Sequence, residues 1–267
     1  MSAQEFHLTV GDNISIIDAL AAHTGLPKGR IKDALNKGAV WLRARGREQR
    51  VRRATKMLQR GDQLSLYFDP DVLQREPPPP QLIADECDYS VWIKPAGMLA
   101  QGTRFGDHCA LLRWCEKHFA NTRECFLVHR LDREAEGLML IAHTKKAADA
   151  FTKLWQQHRI EKRYAVTVEG VVGAIGFSQR VDAPLDDKPC ATEFRVVNFD
   201  SEKLRTELAI TLITGRKHQI RRHLAGIGFP VVGDYRYGRG GENLALRAIA
   251  LEFICPLRGS AKKYAIE

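Results

Sequence analysis

The sequence predicts an α+β fold. A mixed, largely antiparallel sheet with helices on its faces forms a large C-terminal domain, preceded by a small α/β domain. Three observations point there. Apolar runs bounded by Gly and Pro do not alternate strictly with helical stretches, and hairpins are frequent. Glu76 followed by Pro77 to Pro80 reads as a stiff extended spacer. The 267 residues, 44% hydrophobic, are enough for one large domain plus a small one. The expected boundaries are 1–75, a linker at 76–80, and 81–267.

The elements follow in order. Residues 5–10 alternate apolar and polar, as a half-buried strand does. Asp12 or Asn13 is placed to cap a helix with Ile14, Ile17, Leu20 and Ala21 on one face. Gly25 and Pro27 stop it, and a second helix runs from about Lys28 to Lys37, ended by Gly38. Val40 and Leu42 open a strand, Arg43 to Arg47 form a basic turn, and Gln63 to Phe68 form another strand. In the second domain, Tyr89 to Lys94 is a strand that Pro95 ends, because proline lacks the ladder donor. Ala110 to Phe119 reads as a helix, and Phe126 to Val128 and Leu138 to Ile141 as strands. Lys145 to His158 is a helix and Arg159 to Val168 a strand, with Tyr164, Val166 and Val168 on one face. Thr192 to Val197 and Lys203 to Ile213 make an antiparallel pair. A helix over Lys217 to Ile227 and a strand over Leu244 to Phe253 complete the chain.

Lys and Arg outnumber Asp and Glu by 41 to 32, a net charge of +9. The excess is concentrated: residues 28–60 hold twelve Lys or Arg against Asp33 and Glu48. A solvated helix face accounts for most charge runs. Here one sign is shared by a helix, a turn and a strand, which suits a polyanion bound through its phosphates. Lys28, Arg30, Lys32, Arg43, Arg45 and Arg47 are the candidate contacts. No apolar run approaches a membrane span, and no secretory signal opens the chain. The six cysteines include no CxxC pair, so reduced thiols in a cytoplasmic protein are expected, with no structural zinc.

The chemistry centres on residues 126–141. Two apolar runs flank His129, Arg130, Asp132, Arg133, Glu134 and Glu136, followed by Gly137. An exposed hairpin with solvated charges would read the same way. Charged groups on a loop between buried strands are also how chemistry is mounted on a scaffold. Asp132 stands out, with Arg130 before it and Arg133 after it. A second cluster is Glu161 to Gly170, with Tyr164 on a strand. A third is Thr214 to Leu224. It places Arg216, Lys217, His218, Arg221 and Arg222 at a helix start, a self-repelling arrangement unless a phosphate or a buried carboxylate offsets it.

In order and spacing these clusters closely resemble the RluA-type pseudouridine synthases. The matching pieces are His129-Arg130-Leu131-Asp132 with Gly137-Leu138, Tyr164-Ala165-Val166 with Gly170, and Thr214 to Arg221 with His223-Leu224 and Gly233-Asp234. The resemblance implies a catalytic domain of pseudouridine synthase type and an isomerase converting uridine to pseudouridine in ribosomal or transfer RNA, with neither cofactor nor metal. It implies Asp132 as catalytic aspartate, Tyr164 as active-site tyrosine and Arg221 as the aspartate's partner. It also implies Leu246 as an apolar wall and Arg130 as the side chain entering the RNA where the uridine leaves. His129, Arg216, Lys217 and His218 are read as further RNA contacts. Residues 10–68 resemble the alpha-L RNA-binding motif of a small-subunit ribosomal protein, with a turn that reads as longer and richer in arginine than the usual Asn-Gly hairpin. The chain departs from the RluA pattern at Ala135-Glu136, Arg247 and Cys255.

Other chemistries fit less well. No G-x-S-x-G elbow supports a serine hydrolase, and Cys125 reads as a core thiol. The rival from another class is an inactive RNA-binding protein of the same fold, which would have no need of Asp132, Tyr164 and Arg221 together. A monomer is expected.

Overall fold

The computed structural model describes residues 2–266, and the chain divides into two compact units. The first comprises residues 1–77 and 101–118, the second 78–100 and 119–267.

In the first unit, β1 (Gln4–Thr9), β6 (Gln63–Phe68), β3 (Val40–Ala44) and β4 (Arg47–Arg50) form an antiparallel sheet in the order β1-β6-β3-β4. A two-residue ladder joins β2 (Ile14–Ser15) to β5 (Met57–Leu58). Helices α1 (Ile16–Thr24) and α2 (Lys28–Asn36) bury Ile16, Leu20, Ile31 and Leu35 against Leu42, Leu58, Leu64 and Leu66. Each such side chain contributes about 1.5–3 kcal/mol by leaving water. Short α3 (Pro70–Leu73) is capped by Asp69, and α4 (Leu111–His118) also belongs to this unit.

Three expectations are corrected here. The cap of α1 is Ser15, whose Oγ accepts from Asp18 N, because pairing with β5 keeps Ile14 extended. The basic turn is not long. Ala44 pairs with Arg47, leaving only Arg45 and Gly46, both at positive φ, as a tight hairpin whose twist matches its strands. The helix at 111–118 packs with the first unit rather than the second. Its segment is tied there by Arg50 and Arg52 on Asp107, by Trp41 Nε1 donating to the Arg104 carbonyl, and by Arg104 donating to the Tyr67 hydroxyl. No local pattern encodes those contacts.

The second unit is built on a ten-stranded sheet. Its strands are β7 (Gln81–Asp85), β8 (Tyr89–Lys94), β9 (Phe126–Leu127), β10 (Glu136–Ala142), β11 (Glu161–Glu169), β12 (Ser178–Val181), β13 (Thr192–Asp200), β14 (Arg205–Leu212), β15 (Leu246–Ile254) and β16 (Ala261–Ala265). The main order is β12-β13-β14-β11-β15-β10-β8-β7, with β16 on β15 and β9 on β10. All pairings are antiparallel except β10 with β15. Thus the sheet is mixed and mostly antiparallel, as expected. Strands β12 and β16 were not foreseen, since Ser-Gln-Arg-Val and Ala-Lys-Lys-Tyr-Ala carry too little apolar pattern. Helix α5 (Lys145–Gln156), capped by Thr144, lays Phe151 and Leu154 on Tyr89, Val91, Leu138, Leu140, Leu251 and Phe253.

Helix α6 (Gln219–Gly226) starts later than expected. His218 adopts a left-handed φ of 53° that breaks the helix before it. Gln219 then organises the start: its Oε1 accepts from Thr214 Oγ1 and Arg216 N, and its Nε2 donates to the Ala191 carbonyl. Among the described residues no helix is long and apolar enough to cross a membrane. Cys87, Cys109, Cys190 and Cys255 are free thiols.

Candidate active site

The loop between β9 and β10 carries Asp132 and is braced from below. Lys94, fully buried at the end of β8, donates to the carbonyls of Pro95, Met98, Arg133 and Ala135 at 2.9, 2.9, 3.2 and 2.6 Å. Gly97 N also donates to the Arg133 carbonyl. Burial pushes the Lys94 ammonium down to about 8, against the pull of Glu134, Asp132 and Glu136. Gly137 lets β10 pass close to β15: at its φ of 120° a Cβ would lie 2.2 Å from the Ala248 carbonyl oxygen. Only glycine tolerates both conditions.

Arg221, in the first turn of α6 and 1% exposed, reaches Asp132 from the other side. Its Nη1 donates to Asp132 Oδ2 at 3.0 Å. Its Nε and Nη2 donate to Asp234 Oδ2 and Oδ1 at 2.7 and 2.8 Å, a bidentate clamp. Asp234 is fully buried and also accepts from the backbone N–H groups of Arg236 and Tyr237. Burial opposes ionisation of both groups. The Asp234 and Asp132 contacts more than offset it for Arg221, and Arg221 with the two backbone donors holds the Asp234 carboxyl below its usual range. The anion that offsets the basic cluster is therefore protein carboxylate where Arg221 is concerned. Arg222 pairs with Asp186, and Arg216 and Lys217 remain exposed ahead of the helix.

Asp132, Tyr164 and Arg221 line one cavity of about 300 Å³. Tyr164 stands mid-strand on β11 opposite Ile210 and Ala248, beside a bulge at Arg163/Tyr164. Burial, with Asp132 nearby, raises its hydroxyl well above the ordinary tyrosine range, so it stays protonated. Arg130, Arg216, Lys217, His218 and Leu246 line the same cavity, and Arg130 is exposed at it. His218 Nε2 lies 3.7 Å from Asp132 Oδ1, and its Nδ1 lies 3.0 Å from the Tyr237 hydroxyl.

His129 also lines the cavity, but its ring has a structural task. It stacks on Trp155 at 4.0 Å, and its Nε2 accepts from Leu140 N at 2.9 Å. Burial, with Lys162 nearby, pushes it down to about 3, so it is neutral with its proton on Nδ1. Glu136 and Arg247, both departures from the RluA pattern, face each other across β10 and β15 and form an ion pair at 3.0 Å.

Reading the residues in order left Asp234, Lys94 and Lys162 without roles. Asp234 sat in the Gly233-Asp234 pair with no partner legible from spacing. Lys162 could have been found from strand alternation, which sets it on Tyr164's face. In the first unit, Lys28 pairs with Asp18, while Lys37, Arg50 and Arg52 turn to Asp33 and Asp107. Arg30, Lys32, Arg43, Arg45 and Arg47 are exposed and without a carboxylate partner among the described residues. Also among the described residues, no three His, Cys, Asp or Glu side chains are grouped to hold a metal.

Comparison with known proteins identifies the family and the fold. The family model described as RNA pseudouridylate synthase matches residues 88–226. An uncharacterized RNA pseudouridine synthase of Aquifex aeolicus is 28% identical over 88% of this chain and 79% of its own. The ribosomal large subunit pseudouridine synthase D of Xanthomonas campestris is 31% identical over 65% of this chain and 62% of its own. This chain thus spans less than two thirds of that relative. Among solved structures, human RNA pseudouridylate synthase domain containing 1 superposes with a TM-score of 0.60 at 19% identity, over 72% of this chain and 86% of that one. That likeness shows the fold. With the family model spanning more than half its length, the chain belongs to the RNA pseudouridylate synthase family, the enzymes that isomerise uridine in RNA to pseudouridine.

Proposed function

We propose that this chain converts specific uridines of structured RNA to pseudouridine, acting as a cytoplasmic monomer. Ribosomal RNA is the first candidate substrate and transfer RNA the second. The observation that carries the reading is the Asp132 carboxylate, held by Arg221 in a cavity it shares with the buried Tyr164 ring. The choice of ribosomal RNA is supported by relatives named for the large ribosomal subunit.

The reaction breaks the bond from N1 of the base to C1′ of the sugar and forms one from C5 to C1′. The hydrogen lost from C5 is matched by one gained at N1, so the isomerisation is redox-neutral. The target base leaves its stack at a cost of a few kcal/mol. Stacking on Tyr164 returns about 1–3 kcal/mol, and Arg130 fills the gap in the RNA. Asp132 acts at the sugar or the base as nucleophile or proton acceptor. Arg221 orients it, and Leu246 walls the base. Tyr164 keeps its proton until a base takes it, so it relays the C5 proton only in concert with another group. Arg216, Lys217 and His218 at the cavity rim, with Lys28, Arg30, Lys32, Arg43, Arg45 and Arg47 on the first unit, contact RNA phosphates.

The test is release of tritium to water from RNA labelled at C5 of uridine. The wild type releases label and Asp132→Asn does not. Turnover retained by that variant overturns the assignment.

A further inference from the structure

One charged group in the cavity has no part in this scheme. Lys162 lies on β11 two residues before Tyr164, on the same inward face, because strand side chains alternate. It is 6% exposed and lines the cavity. Among the described residues its ammonium has neither a hydrogen-bond acceptor nor a carboxylate partner, and burial alone acts on its proton affinity. Lys94, the other buried lysine, is wrapped by four carbonyls. Arg221 is neutralised by Asp132 and Asp234. The neutral His129 beside Lys162 supplies no counter-charge, since its Nε2 is occupied by Leu140 N. Lys162 Nζ is not among the fully enclosed polar atoms, so its ammonium opens into the cavity, where a polar ligand can take the place of water.

We propose that Lys162 is a catalytic residue whose ammonium binds a carbonyl oxygen of the uracil ring, O2 or O4, and stabilises the uracil anion formed when the N1–C1′ bond breaks. This rests on the pseudouridine synthase reading above. Heterolysis leaves the bonding pair on the base. At the sugar, either the Asp132 carboxylate bonds to C1′ or the sugar gives up a proton to it, and in both cases the base departs as an anion. Its charge spreads over N1, O2 and O4. Lys162 acts by charge and keeps its proton. When C5 attacks C1′ the charge is withdrawn from the base and Asp132 either leaves C1′ as carboxylate or returns its proton to the sugar carbon it came from; C5 then loses its proton to a base, and N1 gains one. A preorganised donor aimed at developing negative charge in a water-poor cavity is a large catalytic effect. The stacking partner Tyr164 and the charge partner Lys162 then come from one strand face, so the base meets both together.

The test uses the full chain and a large-subunit ribosomal RNA transcript, tritiated at C5, under single-turnover conditions. Lys162→Met is expected to slow the reaction by about 10²-fold with RNA affinity unchanged. Lys162→Arg should recover part of the rate. The methionine variant should unfold at no lower denaturant concentration than the wild type, since it removes an unpaired charge. Transcript containing 5-fluorouridine separates charge stabilisation from packing, with loss of the nucleoside followed by mass spectrometry. Fluorine stabilises the departing anion, so the deficit of Lys162→Met should shrink about tenfold or more. A rate within threefold of wild type, weakened RNA binding at unchanged rate, or an equal deficit on both substrates each overturns the proposal. If Asp132→Asn is inactive while Lys162→Met is normal, only this inference falls. Turnover by Asp132→Asn overturns both.

Discussion

Replacing Asp234 by Asn tests how the aspartate-arginine pair is held. Asp234 Oδ1 accepts from Arg221 Nη2, Arg236 N and Tyr237 N, and Oδ2 accepts from Arg221 Nε. An asparagine that keeps its oxygen on the first three donors turns an NH2 group toward Arg221 Nε–H, donor against donor. The guanidinium, 1% exposed, then retains Asp132 at 3.0 Å and Glu134 at 3.9 Å, both on Nη1. Removing one partner of a buried ion pair costs about 3–5 kcal/mol, a factor of about 10² to 10⁴ in the folding equilibrium at 1.4 kcal/mol per decade. Catalysis should suffer too, because a freed guanidinium moves the Asp132 carboxylate. A displacement of about 1 Å costs roughly 10² in rate. Urea unfolding measures the first effect and C5 tritium release the second. A companion variant, Asp234→Leu with Arg221→Met, replaces the pair by apolar groups. It should recover much of the lost stability and none of the activity. An Asp234→Asn protein with unchanged midpoint and turnover within twofold of wild type would refute the reasoning.

Three further outcomes are expected. The His129 ring is pushed down to about 3 in the fold, against about 6.5 in an unfolded chain. Between those values the unfolded state binds a proton that the folded state does not, so stability is fully present above about pH 6.5 and falls toward pH 3. This contributes at most about 5 kcal/mol. Urea midpoints between pH 7 and pH 4.5 should fall more steeply for wild type than for His129→Gln; parallel curves contradict this. Gly137→Ala should lose about 3 kcal/mol or more, since its Cβ meets the Ala248 backbone at 2.2 and 2.5 Å at a φ of 120°. Thermal melts with tritium release check it, and a wild-type melt rules it out. Neutralising Arg43, Arg45 and Arg47 together to Gln should weaken RNA binding. The slope of log affinity against log salt should drop by about 2–3, at 0.7–0.9 per phosphate contact. An unchanged slope removes these arginines from the interface.

The strand and helix content was legible because local rules and tertiary packing agree. Alternation marked β11 and a 3.6-residue stripe marked α5, while its cap, Thr144, was read only from the structure. The three candidate clusters were legible because each holds several polar groups against apolar flanks. The misses share a cause. Ser15 displaced Asp12 and Asn13 as a cap because β2 pairs with a distant β5. His218 broke α6 because Gln219 bonds across to Ala191. Residues 101–118 joined the first unit through Asp107, Arg104 and their distant arginine and aromatic partners.

By itself the sequence determined which groups are available: a carboxylate in a charged loop, a tyrosine on an apolar strand, and an arginine among cations. It also determined the family pattern that links them. Only the tertiary structure decided how those charges are satisfied. Asp234, thirteen residues beyond Arg221, clamps the guanidinium, four carbonyls enclose Lys94, and Lys162 is left unpaired in the cavity. Periodicity reports which face of an element is buried. The energy of a buried charge depends on what lies within a few ångströms of it, and that is set by chain segments far apart in the sequence.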